Sequence, residues 1–191
     1  MKEPLAQLAR WIDEAGGMER LDAVTMCLAT VDARARPSAR LVLLRGLDDR
    51  GLRFFTSYLS RKAREIAENP HAAAVLYWPA FGRQVRIEGE VAPLGEDESD
   101  AYFDARPRGH QLAAWASEQS EPIENYEMLA ERFNAFEQRF EDESIPRPHS
   151  WGGYLLAPSR IEFWQSRPNR LHERTLFTRQ TAAWEKQLLQ P

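Results

Sequence analysis

The sequence predicts a mainly β fold, an antiparallel barrel with helices packed outside it. Three observations point there. Short strand-like runs fill residues 25–94, and most are joined by connections too short for crossover helices, which disfavours a βαβ arrangement. A helical block then occupies about residues 96–141. Strand patterns resume at Trp151 and run to about residue 191, so strands, helices and strands share one chain. An open sheet of these runs would expose its edges, which closure or dimerisation would cover. A length of 191 residues suits one domain with a sizeable core. Residues 1–19 are expected to form an N-terminal helix and lead-in, and 20–191 the main domain.

The first element is an amphipathic helix over 5–15, with Leu5, Leu8, Trp11, Ile12 and Ala15 on one side and Gly16-Gly17 as its stop. TMCLATV (25–31) and SARLVLLRG (38–46) are short apolar runs flanking a turn-like DARARP. Asp48-Asp49-Arg50-Gly51 turns the chain into LRFFTS. SRKAREIAEN (60–69) is helical, with Ser60 available as its cap and Pro70 as its end. HAAAVLYW (71–78) and RQVRIEGEVAPL (83–94) form two further strands. In the second, Val85, Ile87, Gly89 and Val91 alternate with Arg86, Glu88 and Glu90, the period of a half-wetted strand. The helical block carries Tyr126, Leu129, Phe133, Phe136 and Phe140 as one stripe, expected to be mostly core. WGGYLLAP (151–158), RIEFWQ (160–165), LFTRQ (176–180) and AWEKQLL (183–189) complete the expected strands.

Composition removes several classes. The 25 Lys+Arg and 29 Asp+Glu leave a formal net charge of −4, which disfavours a generic nucleic-acid surface. An apolar fraction of 43% argues against wholesale disorder. No run approaches the roughly 18–20 apolar residues of a membrane span, and MKEPLAQLAR does not read as a signal peptide. The single cysteine, Cys27, rules out an internal disulfide framework, so a reduced cytoplasm is the default location. Within its apolar strand Cys27 reads as a buried, inert thiol. EDESD and EDES read as solvated charge runs. Nucleotide, hydrolase and zinc-protease motifs are missing, and His71, His110, His149 and His172 are too scattered to suggest a metal site.

The positive charge is lopsided, with 22 arginines against Lys2, Lys62 and Lys186. Arg40 and Arg45 flank LVLL, Thr56 follows, and Arg61-Lys62 open a helix. Cations at a helix N-terminus oppose its dipole. They make sense where an anion sits, because the free N–H groups there bind it too. Guanidinium groups grip phosphate bidentately. The residues alone leave a phosphate-bearing ligand and ordinary surface arginines both open. Tyr102, Arg106, Arg108 and His110 form a second cluster. Arg170, His172 and Arg174 form a third, and in strand geometry their alternation would converge them on one pocket or line a charged rim.

RLVLLR (40–45), FT (55–56), SRKAREIAENP (60–70), RQVRIEGE (83–90), YFDARPRGHQLAAWASEQS (102–120), WGGY (151–154) and IEFWQ…RLHER (161–174) together resemble the pyridoxine/pyridoxamine 5′-phosphate oxidase family. Each string is modest; seven in order, from about residue 20 to Pro191, are specific. The resemblance implies an FMN-binding split β-barrel of Greek-key type, with a helical insertion at about 96–141 and C-terminal strands at about 151–191. It implies a homodimer with FMN at the subunit interface. The implied reaction oxidises pyridoxamine or pyridoxine 5′-phosphate with dioxygen to pyridoxal 5′-phosphate, releasing hydrogen peroxide, and ammonia from the amine. Nucleic acid and membrane are not among the implied partners.

Carried over by position, Arg40, Thr56, Arg61 and Lys62 would grip the phosphate and ribityl end of FMN, beside Val42, Leu43 and Phe55. Gln84, Gln119, Ser120, Trp164 and Arg174 would complete the flavin site, part of it from the other subunit. Tyr102 and Arg106 would bind the substrate phosphate, joined by Arg45 and His110, and Arg170 and His172 would lie over the reacting end. Arg45 stands where the family commonly has lysine, His110 where serine is frequent, and Phe55 where tyrosine is frequent. Arg for Lys changes donor geometry, and histidine could either donate to phosphate or reshape the pocket. The chain also starts close to its first helix, without the longer N-terminal arm of many members. Two other functions stay in view: a split-barrel FMN oxidase of another small aromatic substrate such as a phenazine precursor, and a non-catalytic flavin or haem module.

Overall fold

The apolar side of the first helix finds its partner as the spacing requires. The computed structural model describes residues 3–181 and 183–191; Met1, Lys2 and Ala182, including the first two residues of the expected lead-in, lie outside the described residues. Helix α1 (Leu5–Glu14) buries Leu5, Leu8 and Ile12. It ends where Gly16 and Gly17 take positive φ, and the Gly17 N–H closes onto Ile12 O at 2.9 Å. A short turn of helix, α2 (Leu21–Val24), leads into the sheet.

Strands β1 (Thr25–Val31), β2 (Pro37–Leu43), β3 (Gly46–Asp48) and β4 (Gly51–Ser57) follow, then helix α3 (Arg61–Glu68), β5 (His71–Trp78) and β6 (Arg83–Pro93). Helices α4 (Glu96–Asp104), α5 (Arg108–Ala116) and α6 (Tyr126–Arg139) precede β7 (Trp151–Gln165), β8 (Glu173–Arg179) and β9 (Trp184–Leu189). All pairings are antiparallel, in the order β2-β1-β5-β6-β7-β4-β3, with β8 and β9 branching from β7.

The expected run 38–46 divides into β2 and β3. At the break the Leu44 N–H turns to Val24 O and the Arg45 N–H to Arg53 O. The two strands expected at 151–158 and 160–165 are one 15-residue strand. Its first half pairs with β4 and its second with β8, while β6 runs along both. Pro158 has no N–H to give, and the β6–β7 register shifts beside it, between Glu88 and Gly89. Gly89 fits there because a Cβ would lie 2.1 Å from Ala157 O. The late strands therefore extend the sheet rather than close it. No ladder joins β2 to β3 among the described residues, so the sheet is a curled half-barrel.

One face of the sheet holds the main core, in which Met26, Leu28, Phe54, Leu76, Val85, Ile87, Leu156 and Ile161 meet Leu8 and Ile12 of α1. Full burial of each such side chain contributes about 1.5–3 kcal/mol. A second core forms where Phe103, Leu112, Phe140, Ile145 and Trp151 pack beneath the helical block. The aromatic stripe of α6 is less buried than its period predicts. Phe140 is buried, Phe133 and Phe136 are half-buried, and Tyr126 is 81% exposed, because packing on Trp115 of α5 reaches only the end of the stripe. Cys27 is half-buried rather than buried, since it faces away from the core side that Met26 and Leu28 occupy. Ser60 precedes α3 without capping it, because its hydroxyl donates to Ser57 O at 2.7 Å. EDESD is not simply solvated: Glu98 pairs with Arg50 and Arg53, and Asp100 with Arg147. Among the described residues no helix is long and apolar enough to cross a membrane.

Candidate active site

A cleft of about 760 Å³ opens where β2, β4, the start of α3 and the helical block meet. One part of its wall is built around Lys62. The first turn of α3 carries this side chain inward, leaving it 7% exposed. Its Nζ donates to Thr56 Oγ1 at 3.0 Å, Ser60 Oγ at 3.2 Å and Gln119 Oε1 at 3.2 Å, all neutral acceptors. Burial, and then repulsion from Arg40, lower its pKa to about 8 against the attraction of Glu65. Thr56 Oγ1 also donates to Gln119 Oε1 at 2.7 Å, which fixes the amide across the cleft wall.

Arg40 reaches this wall from β2, and Val42 and Leu43 line the cleft beside it. Its guanidinium donates to Thr30 Oγ1 at 2.5 Å and to Glu65 Oε2 at 3.2 Å. Glu65 is 4% exposed and also accepts from Thr30, Ser38 and Arg61. Burial alone would raise its pKa; the hydrogen bonds from Ser38, Thr30, Arg61 and Arg40 outweigh that and bring it to about 2. Arg61 itself does not line the cleft. It lies in an adjoining groove with Arg34, Arg36 and Arg64.

A second cationic wall holds Arg45, Tyr102, Arg106 and His110. Tyr102 lies parallel to Phe55 with ring centroids 3.7 Å apart, and Trp151 lies parallel to both. The Arg106 guanidinium sits 4.5 Å above the Trp151 ring. Its Nη1 is buried with no hydrogen-bond partner. Burial lowers the Arg106 pKa; Tyr102 opposes this and the Arg45 charge reinforces it. A buried guanidinium nitrogen left without an acceptor is costly unless a ligand supplies one. The cleft thus presents two cationic places separated by apolar and aromatic wall, a shape and charge pattern suited to phosphorylated, planar molecules.

The remaining expected residues form a separate group. Gln84, Trp164 and Arg174 fall in one register row across β6, β7 and β8. Arg174 is held by Glu162 through Nε at 2.8 Å and Nη2 at 3.0 Å. The His172 ring packs on Trp164 at 4.6 Å. Its Nδ1 accepts from the Arg167 N–H at 3.2 Å, which assigns the ring proton of the neutral form to Nε2. Arg170, His172 and Arg174 do not alternate along a strand as expected. Only Arg174 is in β8, and Arg170 sits in a tight turn at φ 62°. None of Gln84, Trp164, Arg170, His172 and Arg174 lines the cleft, and Ser120 lies beside it, exposed, next to Gln119.

Sequence reasoning passed over Glu65, Thr30, Ser38 and Trp151. The i,i+4 spacing of Arg61 and Glu65 in SRKAREIAEN was the available signal for the first. The convergence of Thr30, Ser38 and Glu65 arises from tertiary contact between β1, β2 and α3.

The curled half-barrel with its peripheral helices and cationic cleft defines a split-barrel protein. Over its whole length the chain matches the fold of PhzG from Burkholderia lata 383, solved with tetrahydrophenazine-1-carboxylic acid, at a TM-score of 0.93 and 33% identity, covering 94% of that chain. An FMN-binding, pyridoxamine 5′-phosphate oxidase-related protein from Nostoc punctiforme shares the fold at a TM-score of 0.78 and 20% identity, with 100% of each chain covered. Residues 19–140 match the pyridoxamine 5′-phosphate oxidase family, and residues 151–191 match the C-terminal dimerisation region of pyridoxine 5′-phosphate oxidase. The pyridoxine/pyridoxamine 5′-phosphate oxidase of Rubrobacter xylanophilus is 51% identical over 99% of this chain and 87% of its own. That of Paraburkholderia phymatum is 50% identical over 98% and 89%. The chain belongs to the pyridoxamine 5′-phosphate oxidase family, a family of FMN-dependent oxidases. The donor set fits such a cofactor: a buried ammonium with only neutral acceptors lacks an anion, and a phosphate supplies one.

Proposed function

We propose that this protein oxidises pyridoxamine 5′-phosphate, pyridoxine 5′-phosphate or both to pyridoxal 5′-phosphate, with dioxygen as the final acceptor. The amine reaction consumes dioxygen and water and yields hydrogen peroxide and ammonia; the alcohol reaction consumes dioxygen and yields hydrogen peroxide. The bound flavin supplies two-electron redox chemistry. The rest of the work belongs to the protein.

Arg40, Arg61, Lys62 and Thr56 hold the cofactor phosphate and ribityl end, with Val42, Leu43, Phe55, Gln119 and Ser120 around them. Gln84, Trp164 and Arg174 reach the flavin from the other subunit of a homodimer, so the site is shared across the interface. Arg45, Tyr102, Arg106 and His110 bind the substrate phosphate and fix the reacting carbon by its far end. Arg170 and His172 orient the reacting end, with His172 Nε2 as the atom free to face it. The match to a dimerisation region supports the shared site. The cytoplasm is the expected location.

The observation that carries this reading is the buried, unpartnered Arg106 Nη1 in the cleft. A substrate anion beside Arg106, distinct from the cofactor phosphate at Lys62, would supply the acceptor that this nitrogen lacks. The test compares pyridoxamine 5′-phosphate with unphosphorylated pyridoxamine, and wild type with Arg106→Ala. The phosphorylated amine should be strongly preferred, and Arg106→Ala should raise its KM about 10–100-fold while flavin is retained. Equal use of both amines would defeat the assignment. The fold match to PhzG supports a second reading, oxidation of a reduced phenazine carboxylic acid. A reduced phenazine acid oxidised faster than either B6 phosphate would establish it.

A further inference from the structure

We infer that Glu65 is a positioning residue for the cofactor-phosphate wall: its carboxylate holds the Arg40 and Arg61 guanidinium groups in a fixed orientation, and FMN is thereby selected over riboflavin. The inference rests on the reading above, in which Arg40 from the cleft wall and Arg61 from the adjoining groove both serve the FMN phosphate.

A carboxylate beneath two cations is a poor choice for an anion site if only net charge matters. It cancels part of the potential that draws the phosphate in. Its value must lie in geometry. Glu65 Oε2 accepts from Thr30 Oγ1 at 2.5 Å, Ser38 Oγ at 2.6 Å and Arg40 Nη2 at 3.2 Å, and Oε1 accepts from Arg61 Nε at 2.8 Å. Each hydroxyl has one hydrogen, and both hydrogens are spent on Glu65. The lone pairs of Thr30 and Ser38 are therefore turned toward Arg40, which donates to both. With Leu28 O accepting from Nη1 at 3.3 Å as well, all four terminal N–H groups of Arg40 are spent within the protein, so Arg40 is locked in place and offers an anion its Nε–H and its charge.

The consequence for Arg61 is different. Glu65 takes its Nε, and among the described residues nothing is bonded to its two terminal nitrogens. Arg61 is anchored at the root of its fork with both tips free for a phosphate. Orientation costs that a long cation would otherwise incur on binding are met in advance. An amide at position 65 cannot do this. Glutamine keeps one accepting oxygen and turns an N–H₂ toward donors, so one of the two arginines loses its hold.

The test is equilibrium binding of FMN and of riboflavin to the apoprotein, followed by flavin fluorescence, for wild type, Glu65→Gln and Ser38→Ala. Thermal unfolding of each apoprotein is recorded alongside. Wild type should prefer FMN. Glu65→Gln should reduce that preference about 10–100-fold with riboflavin affinity nearly unchanged, and Ser38→Ala should reduce it about 3–10-fold. Ser38→Ala serves as the test if Glu65→Gln fails to fold. A wild-type protein without FMN preference would overturn the phosphate-wall reading itself. Wild-type preference that survives both substitutions would overturn the role of Glu65 alone. Tighter FMN binding in Glu65→Gln would reduce Glu65 to a neutralising charge, and parallel losses for both flavins would reduce it to a structural residue; either result overturns the inference.

Discussion

Lys62 is held in the cleft wall by three neutral oxygens, and this gives the protein a pH dependence with a definite sign. Its pKa lies at about 8, below the ordinary 10.5. Between those values the unfolded chain binds more protons, so this group's penalty on stability is full below pH 8 and fades as pH rises toward 10.5. In the proposed cofactor site phosphate binding would run the other way, because only the protonated amine pairs with it. FMN affinity should fall roughly tenfold between pH 7 and pH 9, and Lys62→Met should bind FMN weakly with a flat profile over that range. Fluorescence titration at several pH values measures both; a flat wild-type profile would remove Lys62 from the phosphate site. At this scale the cations were legible because local spacing put Lys62 and Arg61 at a helix start and Arg40 on a strand. Glu65 was not, since its meaning depends on Thr30, which lies 35 residues away in sequence.

Strand β7 shows what period-two patterns capture and what they miss. Alternation along RQVRIEGEV gave the right face for Val85, Ile87 and Val91, all buried in β6. The expected runs 151–158 and 160–165 leave a gap after Pro158, whereas β7 runs through a residue that removes a ladder donor. The sheet absorbs it with a register shift opposite Gly89, a tertiary remedy that one strand's sequence does not contain. Gly89→Ala should test that remedy. Its Cβ would meet a backbone oxygen at 2.1 Å, so the strands must part, at a cost of about 1–3 kcal/mol in urea unfolding. Unchanged stability would mean that the bulge tolerates a side chain. Helix α6 teaches the converse lesson. Its stripe of aromatic residues satisfies a helical period, yet Tyr126 stays exposed because period reports a face and not what covers it.

At the scale of the whole molecule, the two residue groups become intelligible together. The cleft gathers Arg40, Thr56, Lys62, Gln119, Tyr102 and Arg106, whereas Gln84, Trp164 and Arg174 form their own row on another part of the sheet. The half-barrel leaves β2 and β3 unjoined, and the C-terminal strands fall in a dimerisation region. In the proposed shared site, a second copy brings Gln84, Trp164 and Arg174 to the cleft. Fold class was readable from the order of strands, helices and strands, but a site shared between copies, as proposed, would leave no mark on hydrophobic periodicity. In the proposed reaction FMN held here takes electrons from a phosphorylated B6 vitamer. The most direct measurement is the absorbance of the FMN-loaded protein mixed without oxygen with pyridoxamine 5′-phosphate. Loss of the oxidised-flavin colour, its return on admitting air, and pyridoxal 5′-phosphate in the solution are the predicted result. A flavin that stays oxidised with both B6 phosphates, yet bleaches with a reduced phenazine acid, would contradict it.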